Sequence, residues 1–355
     1  MPSKAARSLP YVTAKSSRIL GKIRVVPEDF QVEEIPAYPP SGEGDHVFIK
    51  LRKTGLTTQD AVRRLARALD IDPAGASWAG LKDRHAVTTQ WVSLAGTKPE
   101  AARGLSLPGL DVLSAARHGH KLRTGHLRGN RFAIRVRQAG GHSAADVERA
   151  RALMRALESS GCPNYFGEQR FGRDGDNARV GRAWVAGEGP APRGRFQRKL
   201  IFSALQAAMF NTWLADRLTT GHLDAALLGD ILRKEDTGGL FHCEDPDVDT
   251  ARAARFEVSA TGPMFGSRMR KALHGSGEAE LAVLKANGLA WADLAKHKKH
   301  GEGTRRVARV RPHAWTVEAD DEGMLLSFEL PRGAYATVVL RELTKPTETG
   351  HHHHP

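Results

Sequence analysis

Strand-type alternation occupies both ends of this 355-residue chain, and its longest apolar helical run lies between them. Near the N-terminus Phe30 and Val32 alternate with polar neighbours in DFQVEEI, just after a turn at Pro27, and VFIKLRK follows a Gly-rich loop. LDVLSAARH and NRFAIRVRQ continue the pattern, and HAWTVEAD, GMLLSFEL and AYATVVLREL read as strands near the C-terminus. A period of two is the signature of a half-buried strand. Helices are expected at TTQDAVRRLARAL, where Thr57 and Asp60 form a capping-box pattern, and from Ser143, with Asp146 three residues on. From about Gly161 the chain becomes rich in Gly and charge, then runs into the apolar helix LIFSALQAAMFNTWLADRL and a shorter one at GEAELAVLK. Strands that follow one another directly argue for an antiparallel or mixed sheet rather than regular βαβ alternation. The expected architecture is α+β: residues 1–160 and 308–355 form one sheet domain, and residues 161–307 form a more helical domain inserted in it.

Charge narrows the function classes. Lys and Arg number 53 against 40 Asp and Glu, a formal net charge of +13. Such an excess favours polyanions, nucleic acid first. It is unevenly spread: Val112–Ala145 contains no acidic residue, and further basic groups run over RGRFQRK (Arg193–Lys199) and KHKKHGEGTRRVARVR (Lys296–Arg311). Folded onto one face, such segments would line a phosphate track. No stretch approaches the roughly 20 apolar residues of a membrane helix, and the basic N-terminus lacks the apolar core of a secretory signal. Cys162 and Cys243 are the only cysteines; they suggest neither a disulfide framework nor a zinc site and fit a reducing cytoplasm. The histidine run 351–354 reads as a tag remnant or a natural tail and carries no metal argument.

The familiar catalytic signatures GxSxG, Walker A, GxGxxG after a strand, and HExxH are absent, which weakens hydrolase, NTPase, redox and zinc-enzyme readings. What stands out is AGLKDRHAVTTQW, where one carboxylate, Asp83, sits among Lys82, Arg84 and His85 at the start of a strand. A lone Asp there is most often a turn former; in a dry cleft, a cation beside it would keep it ionised. In GNRFAIRVR, Phe132, Ile134 and Val136 fall on one face and Arg131, Arg135 and Arg137 on the other, the pattern of a half-buried strand with a basic face. NYFGEQRFGRDGDN brings Glu168, Asp174 and Asp176 close in sequence, but Ala178 stands where an EF-hand needs a ligand. A tight loop is the simpler reading, with a metal-dependent nuclease as one rival function and a non-catalytic RNA-binding protein as another.

Taken together, IRVVPEDFQVEE, AGLKDRHAVTTQW, KLRTGHLRGNRF, PNYFGEQRFG and LPRGAYATVVLREL resemble, in order, the motifs of the bacterial TruD family of tRNA pseudouridine synthases. The resemblance implies a pseudouridine-synthase sheet domain with a family-specific α/β domain inserted for tRNA recognition. It implies isomerisation of the uridine at position thirteen of certain tRNAs. By motif position Asp83 matches the catalytic aspartate, and Arg24 matches the basic residue, often Lys, that pairs with it. Phe132 matches the aromatic that stacks on the target base, Asn130 the nearby Asn, and Phe30 an aromatic near the site. Lys82, Arg84, His85, Arg128 and Arg135 are then candidate tRNA contacts. The isomerisation gains and loses no atoms, so no cofactor and no metal is expected. The expected partner is tRNA, with no membrane and no obligate protein partner, for a monomeric cytoplasmic enzyme.

Overall fold

The computed structural model describes residues 9–172 and 174–345; the C-terminal histidine run lies outside them. The first part of the chain forms β1 (Phe30–Pro36), β2 (His46–Thr54), α1 (Thr58–Ala68), β3 (Ser77–Trp78), β4 (Val87–Leu94), α2 (Pro99–Ala102), β5 (Ser106–Leu107), β6 (Leu110–His118), β7 (Leu127–Val136) and α3 (Ala144–Ser160). The middle forms β8 (Cys162–Pro163), α4 (Asn177–Val185), α5 (Arg195–Thr219), β9 (Ile231–Lys234), β10 (Leu240–His242), α6 (Pro246–Ala254), β11 (Val258–Met264), α7 (His274–Ala286), α8 (Trp291–Lys296), β12 (Thr304–Val307) and β13 (Arg309–Val310). The chain then returns through β14 (His313–Asp320), β15 (Gly323–Pro331) and α9 (Ala336–Thr344).

Two compact units result. One contains residues 17–155, 312–336 and the described residues from 343 on; the other contains the described residues of 1–16, 156–311 and 337–342. The first is built on a nine-stranded sheet ordered β14-β15-β7-β1-β4-β2-β6-β5, with β3 beside β4. β1 runs parallel to β4 and antiparallel to β7, so the sheet is mixed. Val47, Ile49, Leu51, Val92 and Leu94 point to one face, where Val62 and Leu65 of α1 complete a core. α1 starts as its sequence dictates: the Thr57 hydroxyl accepts the Asp60 amide at 3.1 Å and donates to the Asp60 carboxylate at 2.6 Å. β7 alternates as its sequence requires, Phe132, Ile134 and Val136 being buried.

The second unit has its own core around α5, including Phe202, Phe210, Trp213, Leu232 and Val258, and a four-stranded sheet ordered β10-β9-β11-β12. The short pair β8–β13 closes it. Residues 9–16 and 337–342 belong to this unit because they hold each other: the Thr13 amide and hydroxyl donate to the buried Glu342 carboxylate at 3.0 and 2.7 Å.

One local expectation is corrected. AYATVVLREL contains helix α9, not a strand. Its β-branched residues suggested extension, but Ala336, Val339, Leu340 and Leu343 recur at helical spacing and are all buried. In β11 there is no alternation to read, since every one of its residues is buried.

Candidate active site

Asp83 lies between β3 and β4, in a segment with no regular structure that crosses the sheet face carrying Lys53, Thr88, Gln90, Glu34 and Phe132. That segment is tied down residue by residue. Gln90 Nε2 donates to the Gly80 carbonyl at 3.4 Å, and Thr58 Oγ1 accepts the Lys82 amide at 3.0 Å while donating to Gln90 Oε1 at 2.9 Å. The Lys82 ammonium reaches the Glu34 carboxylate at 2.8 Å, with both side chains nearly or wholly buried. Lys53, fully buried, donates from Nζ to the Leu56 carbonyl at 2.6 Å and to the Asp83 carbonyl at 2.8 Å. Burial pushes the Lys53 ammonium down to about 8; the Asp83 carboxylate opposes the fall and Lys82 reinforces it.

The Asp83 carboxylate itself divides its oxygens. Oδ1 accepts the His85 amide at 3.1 Å, the turn geometry favoured by Asp. Oδ2 meets the Arg24 guanidinium at 3.2 Å, and a third of the side chain stays exposed, so the group remains accessible to a ligand. Arg24 is aimed there by strained backbone: its φ is +59°, a left-handed conformation that an L-residue adopts only under constraint. The constraint comes from Asp29, whose Oδ2 accepts the Val25 and Val26 amides at 3.0 and 3.2 Å while Arg137 Nε holds its other oxygen at 2.8 Å. Burial opposes ionisation of Asp29, but Arg137 and the two amides outweigh it and keep the carboxyl below its usual range.

Arg24 also joins the carboxylate to an aromatic stack. Its guanidinium lies 4.1 Å from the centre of the Phe30 ring. Phe30 meets Phe132 edge-on at 6.4 Å, and Phe132 stacks on Phe328 at 5.5 Å. Register places these rings side by side: Phe132 pairs with Val32 of β1 and with Phe328 of β15. Asn130 lies two residues before Phe132 on the same face; its Oδ1 is buried with no hydrogen-bond partner, a cost normally borne only where a ligand or water supplies one. Asp83, Arg24, Phe30 and Phe132 are thus connected by direct contacts, with Asn130 on the face they share.

The candidate tRNA contacts separate into two groups. Arg84, His85 and Arg128 have exposed side chains, Arg84 also donating to the Gly55 carbonyl at 3.1 Å. Lys82 and Arg135 face inward instead. Lys82 is used by Glu34, and Arg135, only 15% exposed, pairs with Asp320 and lies 3.4 Å from Glu322 on the β14–β15 hairpin. Among the described residues no group of three or more His, Cys, Asp or Glu side chains is arranged to hold a metal ion. Asp176, one of the nuclease candidates, is paired with Arg179 at 3.0 Å. Sequence reasoning missed Lys53, Glu34, Asp29 and Phe328. Only Glu34 carried a signal, as the one acid on the buried face of DFQVEEI.

Comparison with known proteins places the chain in a family. The family model for tRNA pseudouridine synthase D matches residues 8–190 and 195–343. The chain belongs to the TruD family. A tRNA pseudouridine synthase D from Anaeromyxobacter dehalogenans strain 2CP-1 is 52% identical over 342 residues, covering 95% of this chain and 96% of that protein. One from Thermus thermophilus is 40% identical over 343 residues, covering 96% of this chain and 94% of that protein. A crystal structure of a protein described as tRNA pseudouridine synthase D from Methanosarcina mazei shares the fold, with a TM-score of 0.80 at 24% identity over 95% of this chain and 96% of that one. As a TruD-family pseudouridine synthase, the protein is an isomerase. Among the described residues, no helix is long and apolar enough to cross a membrane.

Proposed function

We propose that the protein converts the uridine at position thirteen of a tRNA to pseudouridine, with Asp83 as the nucleophile or base. In this isomerisation the N1–C1′ bond breaks, the uracil turns, and a C5–C1′ bond forms; C5 gives up its proton and N1 ends with one, so atoms and electrons balance. The reaction needs an anionic group at the reacting nucleotide, a surface for the detached base, and shelter from water. Asp83 supplies the anion, and Arg24 fixes its direction. The ring group Phe30, Phe132 and Phe328 lies on the Arg24 side of the carboxylate, and Asn130 offers an unpaired amide oxygen able to accept an N–H of uracil. The uridine leaves its stack to reach the site, as in other enzymes that act on a base.

The observation that carries the reading is the Asp83–Arg24 pair at 3.2 Å, held by a left-handed Arg24 and a loop fixed at five points. That much constraint around one accessible carboxylate is what preorganised chemistry requires, and an ordinary turn does not need it. The test is to incubate the protein with unmodified tRNA transcripts and map pseudouridine chemically along intact RNA. A single new pseudouridine at position thirteen is expected; a different position, or none, refutes the proposal.

A further inference from the structure

The unit formed around α5 carries a second cationic surface, unrelated to Asp83. No acidic residue occurs from Gly189 to Ala215 or from Leu294 to Gly301. Gly194 takes φ +79°, a left-handed turn that directs the chain into α5, and the first turns of that helix present Arg195, Phe196 and Lys199 to solvent. Phe196 is 76% exposed, the highest exposure among the large apolar side chains described. A lone exposed apolar residue is ordinary, but this ring has the exposed Lys199 three positions on, its neighbour on the helix surface.

Packing brings a second basic segment to the same place. His300 and His297 pack edge-on against Trp184 at 5.2 and 4.6 Å, and Trp184 meets Phe202 of α5 at 6.5 Å. Gly301 seats the turn directly on the helix: a Cβ there would lie 2.6 Å from the Phe202 ring. Burial lowers the His300 pKa first, and Arg198, Arg195, Lys199 and Lys299 lower it further. These groups therefore share one neighbourhood. Among the described residues Arg195, Lys199 and Lys299 form no ion pair, whereas in the same unit Arg182 pairs with Glu188 and Lys296 with Asp293.

We propose that this surface, carrying Phe196, Arg195, Lys199 and Lys299, binds RNA by stacking an unpaired base on the ring while the cations contact the adjoining phosphates. Sequence-tolerant single-strand binding combines these two elements. The proposal rests on the tRNA-modifying reading for the choice of RNA, and it gives the inserted unit a defined contact with an unpaired stretch of the substrate.

The experiment measures binding of the full-length protein to an unmodified tRNA transcript by filter binding across a salt series, for wild type, Phe196→Ala, Phe196→Tyr and Arg195→Ala/Lys199→Ala. All these side chains are exposed, so folding is not at stake. Phe196→Ala should raise Kd roughly fivefold or more, and Phe196→Tyr should stay near wild type. The double variant should lower the log–log salt slope by about one to two. Kd and slope within twofold of wild type for both Phe196→Ala and the double variant overturn the proposal. So does a loss of affinity for phosphatidylserine vesicles with tRNA binding intact, which would identify an acidic membrane surface instead. Conversion is scored separately on the wild type. If the wild type forms no pseudouridine but Phe196→Ala still weakens tRNA binding, the catalytic reading fails and the RNA surface stands.

Discussion

The two cationic regions of this protein use charge in opposite ways. Around Asp83 every central cation is committed: Arg24 to the Asp83 carboxylate, Lys82 to Glu34, and Lys53 to two backbone carbonyls. On the surface at the start of α5, Arg195, Lys199 and Lys299 have no acidic partner among the described residues. Paired and buried cations fix geometry, because moving them leaves an uncompensated charge in a poorly solvated place. Unpaired, exposed cations keep their field for a partner and release counterions when it binds. The sequence shows only that both regions are basic; burial and pairing separate their roles. If the distinction holds, substitutions in the first region should alter rate and stability, and those in the second should alter affinity and its salt dependence.

Among the residues that hold the Asp83 segment in place, the largest effect should come from Lys53→Met. It leaves the Leu56 and Asp83 carbonyls buried without their donor, at about 1–3 kcal/mol each, and frees the backbone that carries the carboxylate. Single-turnover conversion should fall on the order of 100-fold with tRNA affinity little changed. The same variant tests the titration of the group. A folded-state pKa of about 8, below the ordinary lysine value, means that the folded protein releases this proton before the unfolded chain does. From this group alone, wild-type stability is flat below pH 8 and gains as pH rises from 8 toward 10, and Lys53→Met should lack that gain. Denaturant midpoints for both proteins over that range decide it; parallel curves would remove Lys53 from the account.

Asp29→Asn should have the next largest effect. Its depressed pKa means that its stabilisation is present above the unfolded carboxyl value and is lost as pH falls through the lower folded value. The variant should be destabilised by about 1–3 kcal/mol at neutral pH and should lose part of the acid limb of its stability curve. With the loop that strains Arg24 loosened, turnover should drop as well. Unchanged turnover would show that the left-handed Arg24 does not depend on Asp29.

The smallest effects separate two residues that look alike in sequence. Arg135→Gln breaks the pairs with Asp320 and Glu322 and should cost up to about 1 kcal/mol of stability without moving the salt slope of tRNA binding. Arg84→Gln removes an exposed cation and should lower the slope by up to about one unit with stability unchanged. The reverse result would show that pairing in the free protein does not predict which cations meet RNA.

How much of this was readable in advance follows from the range of the interactions. The Thr57–Asp60 cap and the alternation from Phe132 to Val136 are local, and both appear in the structure as the residues require. AYATVVLREL failed as a strand because burial, which selects the helical face of α9, outweighs the intrinsic preference of its β-branched residues. VSATGPM of β11 shows no alternation because all of it is buried, and it carries Gly262 and Pro263. Gly262 is there since a Cβ would run into the Trp213 and Phe210 rings of α5, a contact invisible without the fold. At the site, Asp83 and Arg24 were named through resemblance to a family and are in contact. Lys53 could not be named: nothing in KLRKTG distinguishes a buried clamp from a solvated lysine, and its partner Asp83 is 30 residues away.

The central claim is that the Asp83 carboxylate, and not merely the loop around it, performs the isomerisation. Asp83→Asn keeps the size and the His85 turn contact but removes the charge. Single-turnover conversion of a tRNA transcript, measured beside filter binding, tests it most directly. Pseudouridine formation should be abolished while Kd stays the same or tightens slightly, since one repulsive charge is gone; conversion at near the wild-type rate would show that Asp83 is a turn residue and contradict the account.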